Sequence, residues 1–172
     1  LSLITPPEWW LVAMGVLPAT DAFTDTDGVA LETHSVSWTK NTTSPASSIL
    51  INTNAIRGNV SAARGLYNWN ADTFDDAQYA QIKHVAVEGN LYIGACVRVA
   101  ASAYTNYEHI CADNANYVFK HVTGTETQLG PGGAGDALND VIRIEADGST
   151  ITPKLNGSVA SMGAQTDTAI AS

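Results

Sequence analysis

The stretch DAFTDTDGVALETH, residues 21–34, holds the first side chains whose types and spacing could do chemistry. Asp21, Asp25 and Asp27 fall within seven positions, and Asp27 precedes a glycine. Calcium takes about six to eight oxygen ligands, and Asp25 and Asp27 with nearby carbonyls would supply some of them. The full EF-hand loop is absent. Asp and Gly also favour turns, through side-chain hydrogen bonds to nearby backbone and tolerance of positive φ. The segment therefore reads as a turn, with calcium at Asp25 and Asp27 as a candidate ligand. No cofactor is required by any motif in the chain.

A second constellation is aromatic and rich in amides. GLYNWNAD places Tyr67, Asn68, Trp69, Asn70 and Asp72 together, and Tyr104, Asn106, Tyr107 and His109 form another polar–aromatic set. Small-molecule sites are concave, with apolar and aromatic walls and a few convergent polar groups. A sugar site of this kind would use Tyr67, Asn68, Trp69, Asn70, Tyr107 and His109. The competing expectation buries Trp69 and leaves the tyrosines at a sheet rim. The sequence leaves both open.

Nucleophile signatures are missing. There is no G-x-S-x-G elbow, and His34, His84, His109 and His121 are scattered singly. Two of these histidines on neighbouring strands would meet as a metal pair, although no spacing demands it. Cys96 and Cys111 form neither a CxxC motif nor a Cys/His zinc pattern. LGPGGAGD, residues 129–136, lacks the GK[ST] ending and the following helix of a phosphate loop. It reads as a connection between strands. Asn-x-Ser/Thr triplets at Asn41, Asn59 and Asn156 are expected by chance in a chain so rich in Ser, Thr and Asn.

These residues must be positioned by something, and the composition bounds what. The 172 residues, 45% apolar, suit one globular domain with a real core. Net charge is −9, with only 8 lysines and arginines and no basic cluster, which argues against a nucleic-acid partner. No apolar run reaches the roughly 18 residues of a membrane span. The apolar opening LSLITPPEWWLVAMGVLP has no basic residue before it, and Pro6, Pro7 and Glu8 interrupt it, so it makes a poor secretory signal. Two readings stand for residues 1–18: an arm whose Trp9, Trp10, Leu11, Val12 and Met14 dock on a partner, or a segment packed on its own domain. The expected organisation is a docking arm over 1–18 and one domain over 19–172.

Within that domain, strand-like runs alternate with turns. Residues 91–100, LYIGACVRVA, put Leu91, Ile93, Ala95, Val97 and Val99 on one face and Tyr92, Gly94, Cys96 and Arg98 on the other. A period of two marks a half-buried strand. QYAQIKHVAVE, NYEHICA, NYVFKHV and DVIRIEA read likewise. Asp147-Gly148 and Asn156-Gly157 predict type I′ hairpin turns, because both dipeptides tolerate positive φ. Residues 141–146, 149–155 and 158–162 are thus expected to form a three-stranded meander, with Pro153 at an edge or bulge. If residues 102–105 close a hairpin, Cys96 lies opposite Cys111. A disulfide and two reduced thiols both remain open there.

This order of motifs, from DAFTDTDGVAL through IRGN, DDAQYAQIKHVAV, YIGACVRVA, TNYEHICAD and YVFKHVTGTETQL to DVIRIEADGSTITPKLNGSVASM, resembles the concanavalin A-like (laminin-G-like) jelly-roll domains. Such domains occur in phage structural proteins, bacterial surface proteins and glycan-binding modules. The resemblance spans residues 19–172 and implies an all-β antiparallel sandwich of jelly-roll type. Some relatives of this fold bind calcium in loops. Its glucanases carry alternating acids on one strand, in an E-x-D-x-x-E type of pattern. No such pattern occurs here, where Glu32, Glu88, Glu108, Glu126 and Glu145 are isolated, so a non-catalytic protein is expected. Members of the family usually continue past the position of TAIAS with a Gly-rich turn and one more strand. A partner strand or a longer chain would supply it here.

Two functions follow as expectations. The first is a virion structural or decoration protein, anchored to other subunits by the Trp-rich arm. The second is a lectin-like adhesion module binding polysaccharide, with or without calcium. Either would act at a virion or an extracellular surface.

Overall fold

The computed structural model describes residues 19–43, 47–59, 64–86, 92–112 and 115–170. The expected docking arm, with Trp9, Trp10, Leu11, Val12 and Met14, lies outside them. The described residues form one helical turn, α1 (Leu31–His34), and fourteen strands. The first four are β1 (Trp38–Lys40), β2 (Ile49–Ile51), β3 (Ile56–Gly58) and β4 (Tyr67–Trp69). Then come β5 (Gln78–Lys83), β6 (Ile93–Val97), β7 (Asn106–Ala112), β8 (Ala115–Val122), β9 (Thr125–Gln128) and β10 (Gly133–Ala134). The last are β11 (Val141–Asp147), β12 (Thr150–Leu155), β13 (Ser158–Val159) and β14 (Gln165–Thr166). No helix among them is long and apolar enough to cross a membrane.

All pairings are antiparallel. One five-stranded sheet runs β5-β11-β12, with β13 and β14 sharing the far edge of β12. The other runs β6-β7-β8, with β9 and β10 sharing the far edge of β8. The two sheets face each other across a common core. Ala95, Val97, Tyr107 and Val118 of one pack with Ile144, Ala146 and Ile151 of the other, closed by Ala160, Met162 and Ile170. This is an all-β sandwich, as the alternating patterns predict. A smaller apolar cluster of Leu31, Ile51 and Tyr67, with Phe23, Val29, Trp38, Ile49 and Ile56 against it, joins α1 to the two-stranded pairs β1-β4 and β2-β3.

The meander forms as expected from β11, β12 and β13. Asn156 and Gly157 both take positive φ, 51° and 81°, as a type I′ turn requires. The other turn is displaced by one residue. Asp147 pairs with Thr150, so Gly148 (φ 51°) and Ser149 are its central residues. Positive φ at the first central residue only is the type II′ signature. Pro153 falls between the short stretches of β12 that β14 and β13 pair with, where its missing N–H costs no ladder bond.

The disulfide alternative is corrected by register. Cys96 pairs with Glu108, and Cys111 pairs with Ile93, so the two cysteines sit on opposite faces and three registers apart. Both are free thiols. The hairpin between β6 and β7 is longer than a four-residue loop, because Arg98 turns out of the strand with φ 52°. Its buried guanidinium donates to the carbonyls of Ile170, Gly148 and Asp76, tying that end of the two sheets together.

Candidate functional site

The structure separates the residues of the expected sugar site. Tyr107 and His109 point into the core between the sheets and are fully buried. The Tyr107 hydroxyl donates to Asp167 Oδ1 at 2.6 Å, and burial with that bond raises its pKa to about 12. Tyr67 is buried in the smaller cluster and donates to Glu32 Oε2 at 2.7 Å. These three residues are therefore out of reach of a glycan in solvent. The strand alternation of NYEHICA puts its odd-numbered residues inward, and Tyr67 is the central aromatic of the smaller cluster. Asn68, Trp69 and Asn70 stay together at the end of β4. There Trp69 is half-buried, stacked edge-on against Trp38 with ring centroids 5.2 Å apart, and donates Nε1–H to Asp72.

The carboxylates of DAFTDTDG also divide. Asp21 and Asp25 bracket His34: Asp21 Oδ1 lies 3.0 Å from Nε2, and Asp25 Oδ2 lies 3.1 Å from Nδ1. Asp21 further accepts from Trp38 Nε1 and Phe23 N. Hydrogen bonds to Asp21 and Asp25 hold the His34 pKa above its ordinary value. Burial of Asp21 works against its charge, but the bonds from Phe23, Trp38 and His34 outweigh it and lower its pKa. Asp27 accepts from Thr53 N at 2.6 Å instead. Glu32, the twelfth residue counted from Asp21, is taken up by Tyr67. Neither Asp25 nor Asp27 belongs to a group of three or more His, Cys, Asp or Glu ligand atoms among the described residues.

A constellation of nucleophilic type lies between the sheets. Cys111 Sγ contacts Asn116 Oδ1 and lies 3.8 Å from His109 Nε2. His109 Nδ1 is 2.9 Å from the Arg143 carbonyl. Cys111 and His109 are both almost fully buried. Burial pushes the Cys111 thiol well up and lowers the His109 pKa, so thiol and imidazole are both held neutral. A thiolate nucleophile needs the opposite environment. Close by, His84 pairs with Asp136, whose side chain is completely shielded from solvent.

The outer face of the same sheet holds the group that reaches the surface. Register places Asn106 opposite His121 and His121 opposite Glu126, while Glu108 on β7 lies diagonal to His121. Thr123 and Gly124, φ 46° and 85°, make the tight turn that sets Glu126 beside His121. His121 Nε2 lies 3.0 Å from Glu108 Oε1 and 3.7 Å from Glu126 Oε2. The His121 ring stacks on Tyr104 with centroids 4.3 Å apart. Arg64, just before β4, inserts Nη1 among them. It lies 2.5 Å from Glu126 Oε2, 3.0 Å from the Tyr104 hydroxyl, 3.3 Å from His121 Nε2 and 3.6 Å from Glu108 Oε1. Burial opposes the Arg64 charge, but Tyr104 and the two carboxylates outweigh it and raise its pKa. A surface cavity of about 220 Å³, lined by Thr43, Ser102, Ala103, Tyr104, Thr123 and Gly124, opens beside this cluster.

Glu108, His121 and Glu126 are the one group among the described residues whose ligand atoms converge as a metal site would require. Sequence reasoning missed it by treating the glutamates as isolated. The Thr-Gly pair at 123–124 was the usable signal, since a two-residue turn there pairs 121 with 126. Comparison with protein-family models, curated proteins and solved structures gave no match.

Proposed function

We propose that the chain is a non-catalytic structural protein of a larger assembly, in keeping with a decoration subunit of a bacteriophage virion. The sandwich is the exposed body, and the Trp-rich residues 1–18 are the anchor to neighbouring subunits. The setting rests on the resemblance to concanavalin A-like jelly rolls. The chain path is that of an antiparallel sandwich: it leaves one sheet at β5, builds the other from β6 to β10, and returns at β11. The observation that carries the non-catalytic reading is the burial of the constellation of nucleophilic type. Cys111 and His109 are sealed between the sheets in neutral form. Trp9, Trp10, Leu11, Val12 and Met14 supply an anchor in energetic terms. Each large side chain fully buried contributes about 1.5–3 kcal/mol of gross transfer free energy, set against the cost of association.

Size-exclusion chromatography with light scattering, on the full chain and on a chain lacking residues 1–17, tests this. Defined oligomers from the full chain and a folded monomer from the shorter one are expected. Identical monomers from both would reject the anchor.

One observation favours a second reading, glycan binding. Trp69 and Asn70 remain side by side at the end of β4, Trp69 half-buried and Asn70 exposed. On this reading Trp69→Ala abolishes retention on immobilised polysaccharide and leaves the circular dichroism spectrum unchanged. Equal retention of the variant removes the site.

A further inference from the structure

We infer that Glu108, His121 and Glu126 form a site for a divalent cation of the zinc class, with the Arg64 guanidinium as the cation that occupies it when the metal is absent. The inference is independent of the assembly role proposed above. One atom from each of the three residues lies within 4.8 Å of the others, on three adjacent strands and one face of the sheet. The pairing of β7, β8 and β9 therefore preorganises the set.

The position of Arg64 Nη1 points to a cation at the centre. It is the point from which Glu126, Tyr104, His121 and Glu108 are all 2.5–3.6 Å away. His121 Nε2 faces an acceptor and a donor at once. A proton on Nε2 suits Glu108 Oε1 at 3.0 Å but opposes the Arg64 N–H at 3.3 Å. A lone pair there suits Arg64 and opposes the carboxylate. A metal at the centre accepts the Nε2 lone pair and both carboxylates at once.

Two buried atoms at this cluster have no hydrogen-bond partner among the described residues: His121 Nδ1 and Asn106 Oδ1. They belong to residues that pair directly across β7 and β8, and both residues are at least 99% buried. Ligation through Nε2 moves the imidazole proton to Nδ1, where it needs an acceptor. Ligating histidines generally donate their other N–H to such a partner. The two atoms are not bonded to each other here, and Asn106 Oδ1, on the residue paired with His121, is the unpaired acceptor that would take that proton. An imidazole with two carboxylates suits zinc and its neighbours, whereas calcium prefers oxygen alone. The way in is through Arg64 and Glu126, whose side chains are 44% and 41% exposed.

Calorimetric titration of the full chain with zinc chloride, after chelator treatment, tests the site. One saturable site per chain is expected. Arg64→Met removes the competing cation and tightens binding by about ten-fold or more. Glu126→Gln and Asn106→Ala each weaken it about 10–100-fold. Glu126 is exposed, so its variant folds whether or not the Asn106 variant does. Calcium binds at least about 100-fold more weakly than zinc on the ligand argument. No saturable zinc binding to either the natural chain or Arg64→Met overturns the inference. So does zinc binding unchanged by Glu126→Gln, which would place the ion elsewhere. Calcium binding as tight as zinc overturns the assignment of metal class.

Discussion

Glu108 and His109 are neighbours in the chain and lie on opposite faces of β7, and the two faces treat polar groups in different ways. On the inner face, His109, Cys111 and Asn116 take partners from backbone carbonyls and from one another, in a space closed by the second sheet. Charge is suppressed at Cys111 and His109: burial raises the thiol pKa and lowers that of the imidazole. On the outer face, Glu108, His121 and Glu126 gather around a guanidinium that is itself half-exposed. Charge is kept there by pairing. Histidine is common to both sets, serving as core polar filler at His109 and as part of a ligand set at His121. What separates them is the cover: a second sheet over the inner set, the half-exposed Arg64 and Glu126 side chains over the outer one.

The sharpest break of this contrast is Asp136→Ala on the sealed side. It leaves His84 without the carboxylate it pairs with in a site closed to water. Leaving a buried imidazole N–H without its acceptor costs roughly 1–3 kcal/mol, which urea titration would read as a clear drop in midpoint. A loss under about 1 kcal/mol would mean that water reaches the pair, and the inner face would no longer count as sealed.

The bracketed His34 sharpens the comparison at intermediate burial, because its carboxylates respond to pH in the opposite sense to the imidazole. Its pKa is raised above 6.5, so its contribution is complete below about pH 6.5 and is lost as pH rises through the folded value. Asp21 and Asp25 have pKa values lowered from 3.8, so theirs is complete above about pH 4 and is lost as pH falls through the folded values. The cluster is strongest between those limits. The melting-temperature gap between the natural chain and His34→Asn should therefore shrink between pH 6 and pH 9. A gap that stays constant over that range would show that the ion pairs contribute nothing.

The smallest effect is expected at the outer cluster without metal. Glu126→Gln in chelator removes an ion pair of which both members are about half-exposed, so the cost is below about 1 kcal/mol. A loss of about 1–3 kcal/mol, comparable to Asp136→Ala, would erase the distinction between the two faces.

The alternation along β6, β7 and β11, the two tight turns of the final meander and the all-β class were legible in the sequence. Each is a local property: side chains alternate by backbone geometry, and Asn-Gly or Gly-Ser pairs accept the positive φ that short hairpins demand. The displaced turn at Gly148 shows the limit of that reading, since Asp-Gly specifies a turn more securely than its register. Which face of NYEHICA would be covered, and by what, was not local. The odd positions carry Tyr107, His109 and Cys111 and the even ones carry Ile110 and Ala112 beside Asn106 and Glu108, so apolar content is split between the faces and composition could not assign the inner set. Only the packing of β11 and β12 against one face of the sheet decided it. Likewise, nothing in the spacing of residues 64, 108, 121 and 126 relates them, because three strand registers and a loop bring them together. Local backbone geometry determined the strands and turns of this protein; which polar side chains meet was decided by long-range pairing.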